Sequence, residues 1–251
     1  MEWQTSILFY VLGWVALVLL ARYVIAPWLK DGPKREVMMG LAWRITRLYC
    51  AAVHRAKFIG EEELRKDVDA GPMIVISNHT GAVDPLLLAS GCKFHIRWMM
   101  ASDMMSPKLD WIWSMADIIP VDRDGHDSGP LREAIRHLKD GGVIGIFPEG
   151  RIAVPPRQIR PFFPGVGLLV SRTGAPVLLS WISGTPDTND MKESLLTPSH
   201  ARVDYLELVK FKEKTDAATV TATLRDKLAR ASGWVKNDVA LPLVTERGSI
   251  K

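Results

Sequence analysis

Cysteine is scarce in this sequence, and so are the spacings that cysteine and histidine form at metal sites. The 251 residues include only two cysteines, Cys50 and Cys92, which cannot build a disulfide framework or a C-x-x-C pair. None of the five histidines other than His79 lies in a carboxylate-rich motif with metal-ligand spacing. We therefore expect free thiols in a reducing compartment and no protein-bound metal.

Signatures of nucleic-acid binding, internal repeats and low-complexity tracts are also missing. The net charge is only +4, and no DNA- or RNA-binding motif accompanies it. An apolar fraction of 47% with 24% charged residues is typical of a globular protein with a substantial core. Nine tryptophans, several near the N-terminus, indicate that the chain binds a membrane surface. We expect no nucleic-acid partner.

Charge is absent altogether from residues 3–21. As a helix this run would be roughly 28 Å long, about the hydrocarbon thickness of a bilayer. Trp3, Tyr23 and Trp28 lie near its ends, where interfacial aromatic residues belong. A buried core helix is the alternative, but a helix that is apolar on every side favours lipid. A cleaved signal peptide is disfavoured because the run has neither a preceding basic region nor a small-residue cleavage site.

Positive charge follows the apolar run, at Arg22, Lys30, Lys34 and Arg35. The positive-inside rule then places the remainder of the chain on the cytoplasmic face of a membrane. We divide the chain into an N-terminal membrane helix (residues 1–29), a basic amphipathic helix at the membrane surface (30–57) and an α/β domain (58–251).

The amphipathic segment repeats apolar residues every three to four positions between residues 37 and 53, which predicts a helix. Arg44, Arg47 and Arg55 fall on its other side. A basic amphipathic helix beside a membrane segment can lie in the headgroup layer. It can equally pack on the domain core, and both hold if the helix bridges the two.

From residue 58 onward, short apolar runs alternate with helical patterns. The runs at 73–77, 143–147 and 176–183 are predicted to be buried strands, and 203–211 a more exposed one. The pattern predicts an α/β domain with a central, mostly parallel sheet flanked by helices. Functional sites in such sheets lie in loops at the carboxyl ends of the strands.

Residues 74–85, IVISNHTGAVDP, read as a strand, a polar turn and a helix start. Asp84 can cap the new helix, and Pro85 fits its first position. A rigidly held His79 with the Asp84 carboxylate in reach can act as an oriented general base. The spacing alone is weak, because Asp84 can be a cap and His79 a turn residue and nothing more.

Other predicted strands also have conspicuous residues at their ends. The blocks read IPVDR at 119–123, FPEGR at 147–151 and APVL at 175–178. Taken singly, FPEG fits a type I turn, and Arg123 between two aspartates fits a solvated ion-pair cluster.

Together with NHTGAVD at 78–84, these blocks resemble the glycerophospholipid acyltransferases of the 1-acylglycerol-3-phosphate acyltransferase type. That family has an N-H-x-x-x-x-D motif, a V-D-R-like motif, F-P-E-G and an apolar-Pro-apolar block in the same order. The resemblance covers about residues 58–185. The N-terminal helices also resemble the membrane-docking helices of some members.

The resemblance implies that His79 removes a proton from the free hydroxyl of a lysophospholipid acceptor, while Asp84 fixes the imidazole. The hydroxyl then attacks an acyl thioester donor, acyl-CoA or acyl-carrier protein, without an acyl-enzyme and without a cofactor. The implied substrate-binding residues are Asn78, Arg123, Glu149, Gly150 and Arg151. The two arginines suit the acceptor's phosphate, Glu149 suits pocket-shaping hydrogen bonds, and Gly150 permits close backbone approach.

The block after F-P-E-G departs from the commonest family form, Thr-Arg-Ser, and reads Arg151-Ile152-Ala153. This version is similar to that in the acyltransferase portion of 2-acylglycerophosphoethanolamine acyltransferases. Lysophosphatidic acid is therefore the default acceptor, and a lysophospholipid with a head group, such as lysophosphatidylethanolamine, is the alternative. The loop 151–164 either lines an acceptor entrance or covers the core.

Two alternatives come from other functional classes. One is a catalytically inactive membrane-binding module that keeps the fold. The other is a metal-assisted hydrolase in which His79 and Asp84 are metal ligands.

Overall fold

The computed structural model of the protein describes residues 2–60, 64, 71–122, 128–152, 157–188, 190–212 and 214–239. The described α-helices are α1 (Glu2–Leu20), α2 (Ala26–Lys30), α3 (Val37–Ala52), α4 (Asp84–Gly91), α5 (Asp110–Met115), α6 (Gly129–Lys139), α7 (Gly165–Thr173), α8 (Met191–Leu196) and α9 (Ala217–Ser232). The described strands are β1 (Lys57–Ile59), β2 (Met73–Ile76), β3 (Arg97–Ala101), β4 (Ile119–Val121), β5 (Val143–Ile146), β6 (Gln158–Ile159), β7 (Val177–Ser183), β8 (Arg202–Val209) and β9 (Val235–Lys236).

The described strands form a seven-stranded sheet in the order β1-β8-β7-β2-β5-β3-β4, and β6 pairs separately with β9. Strands β7, β2, β5, β3 and β4 are parallel, whereas β8 runs antiparallel to β7 and parallel to β1. The predicted mostly parallel sheet flanked by helices is confirmed. Because the parallel strands share one direction, the loops after β7, β2, β5, β3 and β4 all leave the same edge of the sheet.

Strand β2 lies at the centre of the molecule and is buried on both faces, as its continuous apolar run predicts. Successive side chains of a strand point to opposite faces. Ile74 and Ile76 pack into a core with α6, α7 and α9 on one side of the sheet. Met73 and Val75 pack into a second core with α4 and the end of α3 on the other. The central strand is thereby fixed from both sides, which gives its carboxyl end a rigid base.

The N-terminal helix is long and apolar enough, by length and composition, to cross a membrane. The candidate span Ser6–Lys30 has 25 residues, and its most apolar stretch of 18 residues has a mean hydropathy of 2.1 and is entirely unburied. The π-helical segment Ala21–Ile25 joins α1 to α2 within it. Just beyond its end, the Lys93 ammonium lies 2.9 Å from the Asp31 carboxylate. Among the described residues, this ion pair joins the α/β domain to the chain at the carboxyl end of the hydrophobic helix.

Helix α3 packs on α4 with the side opposite its apolar stripe. The Trp43 indole donates to the Ala89 carbonyl at 3.2 Å, and the helix also buries Gly40 and Cys50. The apolar stripe itself faces outward: the exposed fractions are 67% for Met38, 40% for Leu41, 59% for Ile45 and 70% for Leu48. Packing of this helix on the domain is therefore confirmed, whereas its place in the headgroup layer stays a prediction, for which the exposed apolar stripe is available.

Candidate active site

The neighbouring strands β2 and β5 bring two of the sequence blocks side by side. Ile76 and Ile146 are partners in the parallel register, so the chain leaves both strands at the same level. The loop after β2, residues 77–84, is named the His79 loop below. The turn after β5 contains Phe147-Pro148-Glu149-Gly150, and the Gly150 N–H donates to the Phe147 carbonyl at 2.9 Å, as the predicted turn requires.

His79 and Asp84 are hydrogen-bonded, with Nδ1 of the imidazole 2.9 Å from Oδ2 of the carboxylate. Asp84 is completely buried, and the His79 side chain is 18% exposed. A proton on Nδ1 satisfies the carboxylate and leaves the imidazole lone pair on Nε2. The geometric condition for a general base oriented by an acid is therefore met.

The Asp84 carboxylate is directed back into the His79 loop and away from its own helix. Backbone N–H groups of Thr80 and Gly81 donate to Oδ2 at 2.6 and 2.9 Å, and the Thr80 hydroxyl donates to Oδ1 at 3.1 Å. Helix α4 begins after Val83 without a side-chain cap, so the predicted capping role of Asp84 is wrong. Proline in the first turn is confirmed. The loop donors hold the buried negative charge in place for His79.

Two aromatic rings stack behind the imidazole. The ring of Phe147 lies 4.1 Å from that of His79 with an interplanar angle of 14°. The ring of Trp98, on β3, lies 5.1 Å from Phe147 on its other face, at 8°. The stack keeps the imidazole plane fixed and excludes water from one of its faces. Sequence reasoning missed it, although Phe147 stands in the FPEG block, because the contact depends on strand order.

Asn78 has a structural role that the sequence did not indicate. Its amide donates to the Ile182 carbonyl on β7, and its Oδ1 accepts from the Ile182 N–H, both at 2.8 Å. The Ser77 hydroxyl also donates to Oδ1, at 3.0 Å. The side chain thus imitates a strand backbone and ties the His79 loop to β7. Assigning Asn78 to substrate binding is corrected accordingly, because its amide is buried and occupied by β7.

Glu149 is buried between two backbone segments. Its Oε2 accepts a hydrogen bond from the Arg160 N–H at 3.1 Å, and its exposed fraction is 3%. Burial raises the pKa of this carboxyl to about 7, while the N–H groups of Arg160 and His79 and the charges of Arg160 and Arg225 act in the opposite direction. The carboxyl therefore interacts with the loop 157–164 on one side and with the His79 backbone on the other.

Gly150 is required by its own conformation and by its neighbour. Its φ is +68°, and a Cβ there would lie 2.6 Å from the ring of Phe163. The loop 157–164 thus covers the FPEG turn, and the Phe163 N–H bonds to the Pro148 carbonyl at 2.8 Å. Arg151 follows the turn and is partly buried. Arg123 lies outside the described residues, so its proposed contact with phosphate stays a prediction.

The arrangement can take a proton from a hydroxyl group presented to Nε2 of His79. The imidazolium that results would be stabilised by the Asp84 carboxylate, which accepts hydrogen bonds from four donors. A hydroxyl activated in this way is a nucleophile for a carbonyl carbon.

Comparison with protein-family models decides the family. The model described as Acyltransferase matches residues 55–183, about half of the chain. The chain belongs to the acyltransferase family. The match includes the His79 loop, the FPEG turn and β7, so the resemblance to glycerophospholipid acyltransferases is confirmed.

The chain is also similar in sequence to individual acyl-transferring enzymes. The chain is 33% identical over 86 residues to the 1-acyl-sn-glycerol-3-phosphate acyltransferase of Bacillus subtilis (strain 168), which is 33% of this chain and 42% of that protein. It is 28% identical over 120 residues to the N-acylphosphatidylethanolamine synthase of Arabidopsis thaliana, 43% of this chain and 42% of the relative. The matches thus span less than half the length of either relative.

A solved structure shares the fold. The crystal structure of the 1-acyl-sn-glycerophosphate (LPA) acyltransferase, PlsC, from Thermotoga maritima superposes with a TM-score of 0.60 at 20% identity. The superposition covers 76% of this chain and 78% of that one. The acyltransferase α/β architecture therefore extends over most of the molecule.

Proposed function

We propose that the protein transfers a fatty acyl group from an acyl thioester to the free hydroxyl of a lysophospholipid at a membrane surface. The observation that carries the proposal is the hydrogen bond of 2.9 Å between His79 and the buried Asp84, placed beside the FPEG turn. Family membership supports acyl transfer as the reaction. The name of the Bacillus subtilis relative supports 1-acylglycerol 3-phosphate as the acceptor, with phosphatidic acid as the product.

The reaction needs one proton transfer and one acyl transfer. Nε2 of His79 takes the hydroxyl proton as the oxygen attacks the thioester carbonyl, which gives a tetrahedral intermediate. Collapse of the intermediate forms the ester bond, breaks the carbon–sulfur bond and returns the proton to the thiolate. Asp84 stabilises the imidazolium in between. The thiol leaves as coenzyme A or as the carrier protein.

Acceptor recognition is assigned to Arg151, which follows the FPEG turn, and, from the sequence alone, to Arg123. Arg151 and Arg123 are proposed to bind the acceptor's phosphate, since guanidinium groups donate paired hydrogen bonds to phosphate oxygens. Glu149 is proposed to shape the pocket through its hydrogen bond with the Arg160 N–H. Lysophosphatidylethanolamine is the alternative acceptor because of the Arg151-Ile152 sequence. Phosphatidylethanolamine itself, whose amine would be the nucleophile, is a further candidate because of the name of the Arabidopsis relative.

Two apolar surfaces support the proposed membrane location. The Ser6–Lys30 helix is proposed to anchor the chain, and the exposed stripe of α3 to lie in the headgroup layer with the domain on the cytoplasmic side. A lipid acceptor would then reach the site without leaving the bilayer surface.

Purified full-length protein in lipid vesicles tests the proposal. It is incubated with mixed acyl-CoAs or acyl-carrier proteins and with each acceptor separately, and the products are identified by mass spectrometry. We expect an acylated lysophospholipid with wild type and a loss of about 10²–10⁴-fold with His79→Ala, the usual contribution of a general base. A His79→Ala variant with wild-type turnover would falsify the proposal. Absence of turnover with every donor and acceptor would favour the inactive module.

A further inference from the structure

The segment between β7 and β8 contacts the His79 loop, although it contains none of the four sequence blocks. Ser194, on α8, is completely buried, and its Oγ accepts a hydrogen bond from the Val83 N–H at 3.2 Å. The Thr185 hydroxyl lies 2.8 Å from that of Thr80. Because the Thr80 hydroxyl donates to Asp84, Thr185 must be the donor in this pair. Two hydroxyl groups of this segment therefore hold the loop that carries Asp84 and His79.

Gly81 shows how closely the two segments approach each other. A Cβ on Gly81 would lie 2.6 Å from Oγ of Ser194 but 3.6 Å from its Cβ. The φ of Gly81 is outside the left-handed region, so its backbone conformation admits an L side chain. The hydroxyl of Ser194 is thus the atom that excludes a side chain at position 81. The N–H of Gly81 is one of the groups that bind Asp84.

Residues at the end of α3 form hydrogen bonds that hold helix α8 in place. The Tyr49 hydroxyl donates to the Leu195 carbonyl at 2.5 Å. His54 lies between the same tyrosine hydroxyl and the Ser199 hydroxyl, at 2.9 and 2.8 Å. Since both ring nitrogens of this buried histidine are bonded, the connection is rigid. Ser194 is therefore presented to the His79 loop by a firmly held helix.

We propose that Ser194 is a positioning residue for acyl transfer. Ser194 accepts a hydrogen bond from the Val83 N–H and packs on Gly81, and so holds the His79 loop in place. The loop N–H groups then stay hydrogen-bonded to the Asp84 carboxylate, and the carboxylate stays hydrogen-bonded to Nδ1 of His79. Ser194 does not touch the reacting atoms. The inference rests on the proposed function, because acyl transfer is its principal readout.

Three variants of the full chain test the inference: Ser194→Ala, Gly81→Ala and the double variant. Ser194→Ala leaves the Val83 N–H unpaired, and we expect kcat to fall about tenfold with KM values near those of wild type. Gly81→Ala pushes the loop against Oγ, and a displacement near 1 Å at a reacting group costs about 100-fold. The double variant removes the obstructing atom, so its kcat should return to that of Ser194→Ala. Ser90→Ala is the matched control, because Ser90 is equally buried but donates to Leu87 within its own helix.

The outcomes separate this inference from the proposed function. A double variant no more active than Gly81→Ala, with both folded by near-ultraviolet circular dichroism, overturns the positioning role, as does an unchanged kcat in Ser194→Ala. A wild type without turnover overturns the proposed function instead. The Nδ1–H proton resonance of His79 then serves as the readout without substrate. We expect it to broaden in Gly81→Ala and to recover in the double variant, and an identical signal in all variants overturns the inference.

Discussion

The ring of Phe147 stacks on the imidazole of His79 at 4.1 Å and within 14° of parallel. The imidazolium formed during proton transfer would therefore develop its charge over an aromatic face, an interaction of about 0.5–2 kcal/mol. We predict that Phe147→Leu lowers kcat about tenfold, since 1.4 kcal/mol corresponds to a factor of ten. Phe94→Leu, in the core beside α4, controls for the loss of a buried ring. Equal kcat values for the two variants in steady-state assays would contradict the role of the stack.

The contacts of Asp84 lead to a second prediction, for Asp84→Asn. The carboxylate accepts from the His79 imidazole, from the N–H groups of Thr80 and Gly81 and from the Thr80 hydroxyl. In the variant the amide oxygen can take the place of Oδ2, which three of these donors share, and the NH2 group then faces the Thr80 hydroxyl, which can rotate to accept. We expect kcat to fall about 10³–10⁴-fold because a neutral amide does not stabilise the imidazolium that forms during proton transfer. Binding of the acceptor, measured by titration calorimetry, should remain. Activity within tenfold of wild type would show that Asp84 is not needed as an orienting acid.

The His79 loop could be read from sequence because its strand, turn and helix are local. The continuous apolar run predicted β2, and Pro85 predicted the start of α4. The sequence did not reveal which strands lie beside β2. The pairing of Asn78 with Ile182 and the stacking of Phe147 on His79 both depend on that order.

Other misses have the same origin in long-range packing. Asp84 was predicted to cap α4, because Asp before Pro usually does so; here the carboxylate is drawn back by loop N–H groups. The apolar stripe of α3 is readable from its period, but a period alone does not tell a core face from a membrane face. Ser194 lies more than 100 residues from the loop it supports, in a segment without a motif.

A third prediction concerns Glu149 and the pH dependence of stability. Burial raises the pKa of this carboxyl to about 7, above its ordinary value of 4.5. The folded protein therefore binds more protons than the unfolded chain between pH 4.5 and 7, and stability falls as pH rises through this window. Glu149→Gln removes this titration. We predict that the variant gains stability relative to wild type between pH 5 and 8, by on the order of 2–3 kcal/mol.

The same variant should lose activity, because a Gln side chain offers one acceptor oxygen where the Arg160 and His79 N–H groups both favour a carboxylate. Urea unfolding at several pH values, with wild type and variant compared at each, isolates Glu149 from the other titrating groups. The partly buried His95, whose pKa is lowered to about 4 by desolvation, contributes equally to both proteins and cancels. Parallel stability curves for the two proteins would contradict the assignment.

A fourth prediction concerns metal removal. In the proposed mechanism His79 acts through a proton, and its Nδ1 is already bonded to Asp84. Dialysis against a strong chelator, with metal content checked by mass spectrometry, should leave kcat within twofold of the untreated enzyme. Loss of activity that is restored by a particular divalent cation would favour the metal-assisted hydrolase instead.

The final prediction tests whether the outward stripe of α3 meets the bilayer. Leu48 is 70% exposed, and the native thiols of Cys50 and Cys92 are fully buried, so a Leu48→Cys variant can be labelled selectively with an environment-sensitive fluorophore. Val235→Cys provides the control, because Val235 is 74% exposed on β9, outside the amphipathic helix. In vesicles we expect the emission of the label at residue 48 to shift to the blue and to be quenched by lipid-attached quenchers. The label at 235 should do neither. Identical spectra at both positions would contradict contact between α3 and the bilayer. The Ser6–Lys30 helix would then be the remaining candidate for membrane attachment.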